Sequence, residues 1–355
     1  MDHSQIAQQF SLNGEAIRCT RYGCGHINET YLVETTTRNR YILQKINNHV
    51  FRNVPALMEN ITAVTSHLRT HAASGEVVLS LVPTTRGKSY YQHEDGSYWR
   101  VYDFVENSIC LQAAQSPTDF YQSAVAFGSF QQQLADFPAA TLHETIPNFH
   151  NTVDRYRLFR EVLAADPLGR AESVRQEIDF ALARENEAGT LVRQLEAGLL
   201  PLRVTHNDTK LNNVMLDAIT RKPLCVIDLD TVMPGLSLYD FGDSIRFGAA
   251  SAAEDEQDLS KVEMRLDMFR IYTRGFLSAC PGLTAQEKQM LPMGAKLMTL
   301  ECGVRFLTDY LDGDHYFAVH RAGQNLDRCR TQFKLVADME DKWTAMHAIV
   351  QEENT

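Results

Sequence analysis

Apolar positions in the first hundred residues recur mainly at a spacing of two, the period of a strand with one buried face. Residues 14–20 and 30–34 form two such runs on either side of a Gly-containing turn, and Arg40–Ile46 forms a third. Asn53 and Pro55 then signal a helix start, after which Leu57, Ile61, Val64 and Leu68 fall on one helical face. Residues 77–82, 89–92 and 98–104 read as further strands, parted by Thr-Thr-Arg-Gly and Glu-Asp-Gly-Ser turns. From Ser116-Pro117 the period changes. Phe120, Val125, Phe127, Phe130 and Leu134 give a helix with a broad apolar face, and residues 172–199, 256–278, 284–310 and 324–350 continue in helical texture. A strand-rich island at 203–205, 214–216 and 224–228 interrupts them. The pattern predicts an α+β chain of two lobes: a β-rich lobe over residues 1–105, and a larger, mainly helical lobe over 106–355 with a small embedded hairpin.

Composition narrows the partners. The chain of 355 residues is 44% hydrophobic and 22% charged, an ordinary globular mixture. With 34 Lys and Arg against 45 Asp and Glu its formal net charge is −11, which argues against nucleic acid or an anionic membrane as partner. A phosphate site needs only a few local donors and is not excluded. No apolar run of 18 residues and no signal-peptide core after residues 1–10 are present, and the seven cysteines contain no CxxC pair. The expectation is a cytoplasmic protein, a monomer or weak homo-oligomer, with reduced thiols and a small-molecule partner. Neither HExxH nor a zinc-finger spacing occurs; His67 and His71, at i and i+4, read as a solvated helix face.

The island carries the chemistry. Residues 204–213 read Val-Thr-His-Asn-Asp-Thr-Lys-Leu-Asn-Asn, a loop of form H-x-D-x-x-x-x-N, and 226–230 read Val-Ile-Asp-Leu-Asp. Asx residues crowd turns for reasons of local hydrogen bonding, and an isolated His-x-Asp would say no more than that. The complete loop, a strand delivering Asp228 downstream and a β-lobe upstream match the needs of phosphoryl transfer from ATP instead. One carboxylate orients the attacking hydroxyl and takes its proton; an amide oxygen and a second carboxylate hold Mg2+ against the phosphates. Asp208 suits the first role as the catalytic residue, and Asn213 with Asp228 the second. Between the first two strands, residues 21–30 (Arg-Tyr-Gly-Cys-Gly-His-Ile-Asn-Glu-Thr) offer Gly23 and Gly25 for a loop whose backbone approaches phosphates closely.

These loops resemble the aminoglycoside phosphotransferase and choline kinase family, kinase-like enzymes acting on small molecules. Residues 206–215 (HNDTKLNNVM), 227–235 (IDLDTVMPG), 240–248 (DFGDSIRFG), 25–28 (GHIN), 41–44 (YILQ) and 301–306 (ECGVRF) are similar, more narrowly, to bacterial N-acetylhexosamine 1-kinases. The resemblance spans about residues 15 to 350. It implies a bilobal protein-kinase-like fold with ATP and Mg2+ as cofactors, and phosphorylation of the anomeric hydroxyl of N-acetylglucosamine or N-acetylgalactosamine. Another hydroxyl acceptor (an aminoglycoside, an amino alcohol or another hexose) and a non-catalytic nucleotide-binding module are the alternatives. It further implies that Gly23, Gly25 and Asn28 cover the nucleotide, that Asp103 and Val105 offer backbone groups to the purine, and that Arg305 and Tyr316 join Asp208 in the sugar pocket. His26 stands between a turn residue and a substrate contact. The strand that should present a lysine to the phosphates departs from the pattern: Gln44 follows the Leu directly and Lys45 comes next, and only one of the two can face the cleft. Lys45 is the expected one, with Glu59 as an available acidic partner. Asp240, although it opens an Asp-Phe-Gly, falls too far along the chain for the metal and is expected to steady the catalytic loop.

Overall fold

The computed structural model describes residues 3–23, 27–72 and 77–354. Among them, β1 (Ala16–Arg21), β2 (Glu29–Thr35), β3 (Arg40–Ile46), β4 (Leu81–Val82), β5 (Tyr91–Gln92) and β6 (Tyr98–Asp103) form one antiparallel sheet in the order β1-β2-β3-β6-β4, with β5 also paired to β6. Alternation sorts its side chains. Tyr41 and Leu43 of β3 and Trp99 and Val101 of β6 point outward into a small core with Ile6, Ala7 and Phe10, the first two on the short helix α1 (His3–Ala7). Ile46 and Tyr102 point inward to the main core, where they meet α2 (Val54–His71). Asn53 caps α2 by accepting from Ala56 N at 3.2 Å, and Pro55 sits in its first turn, where a missing N–H costs nothing.

Beyond Asp103 the chain leaves this sheet. β7 (Ser108–Cys110) pairs with β9 (Val214–Asp217), which pairs with β10 (Pro223–Val226), while β8 (Arg203–Thr205) pairs with β11 (Met233–Gly235). Helices surround these ladders: α3 (Pro117–Gln133), α4 (Thr152–Ala165), the short α5 (Arg175–Leu182), α6 (Glu185–Ala188) and α7 (Thr190–Glu196), then α8 (Ser237–Gly248), α9 (Leu266–Ala279), α10 (Ala285–Gln289), α11 (Leu291–Asp312), α12 (Gln324–Asp341) and α13 (Trp343–Glu353). Ser116 and Asp119 close α3 with a reciprocal capping box. The mixed class, with a β-sheet N-terminal region and a larger helical C-terminal one, is as the pattern predicts.

Several boundaries differ: the strands expected over 77–82 and 89–92 shrink to Leu81–Val82 and Tyr91–Gln92, and 284–310 divides at Met290. The stretch 172–199 is not one helix but breaks into a 3₁₀ turn and three short helices, the last two meeting at Gly189. The segment 256–278 becomes helical only at Leu266, and 324–350 divides at Lys342. α4, unassigned from periodicity, is a full helix capped by Asn151. Among the described residues, no helix is long and apolar enough to cross a membrane.

The buried helix α8 crosses α11 at two glycines. A Cβ on Gly242 would lie 2.6 Å from Met298 Cγ and still closer to the carbonyl oxygen of Gly294; one on Gly294 would lie 2.7 Å from the Leu238 carbonyl oxygen. The Asp-Phe-Gly of this chain is therefore a packing device. Gly242→Ala should destabilise the protein by about 1–3 kcal/mol through overpacking. Thermal unfolding checks this, with a melting temperature within error of the parent as the contrary result.

Candidate active site

The catalytic loop runs from the end of β8 into β9 and is fastened to α8 through its backbone. The His206 and Asn207 N–H groups donate to the two oxygens of Asp240 at 2.9 and 2.8 Å, and Gln131 Nε2 donates to the same carboxylate at 2.5 Å. Thr209 N–H donates to Asp243 at 3.0 Å, and the Ser244 hydroxyl to the Thr209 carbonyl at 2.8 Å. Asp240 is wholly buried. Burial raises its pKa, an effect that His206 and the converging donors oppose. The role expected of Asp240 is the one its hydrogen bonds describe. His206 Nε2 donates to the Ile227 carbonyl at 2.9 Å, leaving Nδ1 to accept from Asp208 N–H at 3.3 Å, and Thr231 Oγ1 donates to the His206 carbonyl at 2.6 Å. The loop and the segment carrying Asp228 are thus stitched together.

Asp208 emerges from this frame half-exposed. One carboxylate oxygen lies 2.8 Å from Lys210 Nζ; the other accepts from Asn213 Nδ2 at 3.1 Å, and the same amide donates to the Asp208 carbonyl at 2.8 Å. Lys210, which the motif did not single out, keeps its charge: burial works against it, but Asp208 and Asp243 outweigh burial and raise its pKa. Asp228 adopts a left-handed backbone (φ 59°) where the strand gives way to the turn at 229–231. Its side chain is exposed to solvent although protein packs densely around its base. Desolvation, then the charges of Asp230 and Asp208, raise its pKa to about 6. Two hard oxygen donors, the Asn213 amide and the Asp228 carboxylate, beside the second carboxylate of Asp208 form a set in which the charge of Asp228 has no cation paired with it, and such a set fits Mg2+.

The upper wall of the cleft comes from the N-terminal sheet. Arg100 on β6 is wholly buried and pairs with Asp230; its Nε donates to Gln44 Oε1 at 3.0 Å, and Gln44 Nε2 donates to Thr30 at 3.1 Å. Asn28 Nδ2 donates to the other Asp230 oxygen at 2.5 Å, and its Oδ1 accepts from Asn47 N–H at 2.9 Å. The lysine expectation is corrected here. Lys45 shares its face with Tyr41 and Leu43, beside Trp99 and 3.7 Å from Glu29, on the side of the sheet away from the catalytic loop. Gln44 faces inward, and the inward charge belongs to Arg100, its partner across the β3–β6 pair. Glu59 meets His143 at 2.7 Å, not a lysine. Gly23 has a left-handed φ of 76° at the head of the glycine loop; Gly25 and His26 lie outside the described residues. Asp103 ends β6, its carboxyl pKa raised by burial, and the Val105 carbonyl accepts from Ser108 in the connection to β7.

On the other side of the loop the site extends toward α11. His150 stands between Glu301 (Nδ1 at 2.8 Å) and the Asn207 carbonyl (Nε2 at 3.4 Å), and Thr152 donates to Glu301 at 2.7 Å. The Glu301 pKa is lowered: burial opposes its charge, but His150, Arg305 and Arg155 prevail. Arg305 lies among the rings of Phe149, Tyr316 and Phe317 at 5.3–5.6 Å and donates to the Tyr316 hydroxyl at 3.3 Å. Asp309 accepts from the backbone N–H of His315, Tyr316 and Phe317, which holds this loop in place. Gly313, at φ 115°, ends α11, so Asp312 and Asp314 belong to a helix stop. Arg305 and Tyr316 are brought together as a pair; Tyr316 is exposed. His150 was invisible in the sequence because its partners are remote in the chain.

The raised carboxyl of Asp228 has a consequence for stability. Its folded pKa, about 6, exceeds the ordinary 3.8, so the folded state binds the proton more tightly and loses stability as pH rises through that interval. In chelator-treated, nucleotide-free protein, Asp228→Asn should melt higher than the parent above pH 6, with the gain vanishing below about pH 4. Melting curves across that range decide it, and a gain independent of pH would contradict the charge argument.

Residues 18–274 match the model of the phosphotransferase enzyme family, APH. Solved structures of similar fold include a microcompartment-associated aminopropanol kinase, 18% identical with a TM-score of 0.67 over 97% of this chain and 98% of that one. The amicoumacin kinase hAmiN, in complex with AMP-PNP, Ca2+ and Ami, is 13% identical, with a TM-score of 0.59 over 96% of this chain and 94% of that one. The choline kinase of Cryptosporidium parvum Iowa II is 13% identical, with a TM-score of 0.59 over 98% and 96%. At such identities the likeness is one of fold. The family match covers well over half of the residues, and on that ground this chain belongs to the phosphotransferase enzyme family.

Proposed function

We propose that this protein transfers the γ-phosphoryl group of ATP, with Mg2+, to the anomeric hydroxyl of an N-acetylhexosamine, giving the sugar 1-phosphate. The observation that carries the phosphoryl transfer is the convergence of Asp208, Asn213 and Asp228 on one fastened loop and hairpin. Bound there, Mg2+ would neutralise the phosphate charge. Asp208 accepts the proton of the acceptor hydroxyl as the oxygen attacks, while Lys210 and Asn213 hold its carboxylate in one orientation. Arg100 Nη2 and the Tyr102 hydroxyl are buried without a hydrogen-bond partner among the described residues, and both feel the charge of Asp228. A phosphate oxygen is the kind of acceptor that would satisfy them, with Arg100 serving where a lysine was expected.

The acceptor class follows from the other end of the site. Burial, and then the nearby charge of Arg305, lower the pKa of Arg155, and the buried Glu301 is committed to His150 and Thr152. Two guanidiniums and an aromatic cluster suit a neutral polyhydroxylated ring, which donates and accepts hydrogen bonds and lays an apolar face on Tyr316. They suit a cationic amino alcohol or aminoglycoside less well. The fold neighbours that act on amino alcohols keep that second reading open to test.

An ATP-consumption assay over N-acetylglucosamine, N-acetylgalactosamine, plain hexoses, aminopropanol, choline and aminoglycosides separates the two. Turnover on the N-acetylhexosamines is expected, and turnover confined to the amines would reverse the assignment. Asp208→Asn should lower kcat by about 10²–10⁴-fold with nucleotide affinity nearly unchanged; near-parental turnover would remove Asp208 from its role. Arg100→Lys keeps a charge for Asp230 but loses the planar fork. It should raise KM for ATP roughly tenfold with little change in KM for the sugar, and equal effects on both would point to general disruption.

A further inference from the structure

We propose that His67, His71 and Asp136 form a binding site for a divalent transition-metal ion of the zinc class, clasping α2 to the turn that follows α3. His67 and His71 lie one helical turn apart near the C-terminal end of α2, with rings stacked at 4.1 Å. Asp136 comes from beyond the end of α3, 69 residues away in sequence from His67. Its two oxygens take one histidine each: His67 Nε2 at 3.0 Å and His71 Nε2 at 3.4 Å, and one ligand atom from each of the three residues falls within 4.8 Å of the others. Nitrogen and oxygen ligands at 2.0–2.2 Å around a tetrahedral zinc stand about 3.3–3.5 Å apart, so the two His–Asp separations already fit and the two histidine nitrogens, within 4.8 Å, would close onto the ion.

The hydrogen bonding of His71 makes the case sharper. Its Nδ1 lies 3.0 Å from the His67 carbonyl, an oxygen that can only accept, and 3.1 Å from the Thr70 hydroxyl oxygen, whose own hydrogen goes to that carbonyl, so Nδ1 carries the ring hydrogen. The Thr70 hydroxyl donates to that same carbonyl at 2.7 Å. In the neutral ring Nε2 is then a bare lone pair, and it faces a carboxylate oxygen. Two acceptors in contact repel unless something positive lies between them, which is either a second proton on the ring or a metal ion. The backbone carbonyl behind Nδ1 is also the partner that fixes the tautomer of a metal-binding histidine. His67 is held in turn by Phe137, whose ring meets it edge-on at 5.2 Å. Two imidazoles and one carboxylate select a borderline ion such as zinc over Mg2+, which prefers all-oxygen surroundings, so this site and the catalytic one do not compete for the same ion. The inference stands apart from the choice of acceptor.

The test is calorimetric titration of chelator-treated protein with zinc chloride, without nucleotide, which binds zinc itself. One equivalent is expected, with a thermal shift on saturation. Affinity should fall at least roughly tenfold in His71→Ala and in Asp136→Asn and persist in Asp228→Asn, which removes a carboxylate from the catalytic set. Cobalt(II) in place of zinc should show the visible absorption of a four-coordinate ion in the parent and lose it in His71→Ala. The proposal falls if zinc uptake is not saturable or is indifferent to His71→Ala and Asp136→Asn. It falls equally if the His71 ring proves doubly protonated by NMR and its resonances ignore zinc, since a proton then fills the gap.

Discussion

The cleft depends on a buried ion pair between Arg100 and Asp230. Both side chains are almost fully withdrawn from solvent, and each comes from a different half of the fold. Two charges in such a place are tolerable when most of their remaining hydrogen-bonding groups are engaged, and here only Arg100 Nη2 lacks a partner among the described residues. Asn28 gives Asp230 a second donor, and Gln44 gives Arg100 an acceptor, so β2, β3 and β6 and the turn at 229–231 are joined in one network. Breaking the pair from one side would strand the other charge, at a cost of about 3–5 kcal/mol. Asp228 lies two residues from this anchor, in a left-handed backbone conformation.

The catalytic loop has an independent anchor. Its polar backbone, turned inward beside α8, would be costly to bury without partners, and Asp240 and Asp243 accept from it directly. The packing of α8 on α11 through Gly242 and Gly294 sets where those carboxylates stand. An error in helix packing therefore appears as an error in the position of Asp208. One carboxylate of the Asp-Phe-Gly-Asp run works as scaffold and the other as scaffold and charge partner. The same run of letters serves different physics when its place relative to the hairpin changes.

What was legible in the sequence was what local chemistry encodes. β3 fell on Arg40–Ile46 because a β-rich run of Tyr41, Ile42 and Leu43 closing on Ile46 leaves little choice, and the loop from His206 to Asn213 was readable because its pattern of turn and acid-amide residues is compact in sequence. The face that each residue of β3 presents was not legible. Gln44 and Lys45 differ by one step, and only the outer core built by Ile6, Phe10 and Trp99 shows that the even positions look inward. Arg100 looked like an ordinary residue of a buried strand because its meaning comes from Asp230, far along the chain. His150 was hidden for the same reason, and His67 and His71 read as a solvated helix face because Asp136, their partner, lies 69 residues from His67. The short helices between 175 and 196 show the converse case: helical propensity was present, but Gly189 and the demands of packing decided where each piece stopped.

The electrostatics of the site divide its acidic groups by purpose. Asp240, Asp243, Asp230 and Glu301 are buried, and each has donors or a cation arranged around it, so its charge is consumed by structure. Asp228 is different: no hydrogen bond among the described residues engages its carboxylate, its neighbours Asp230 and Asp208 push against its charge, and its proton affinity rises. A fold selected only for stability would relieve that repulsion with an amide or a nearby lysine. Lys210 could have supplied it but turns to Asp208. In the proposed function, a carboxylate kept unpaired at a stability cost beside Asp208 is where a cation arriving with the substrate would bind. By that criterion the reacting centre can be separated from the much larger number of acidic side chains that merely keep the surface wet.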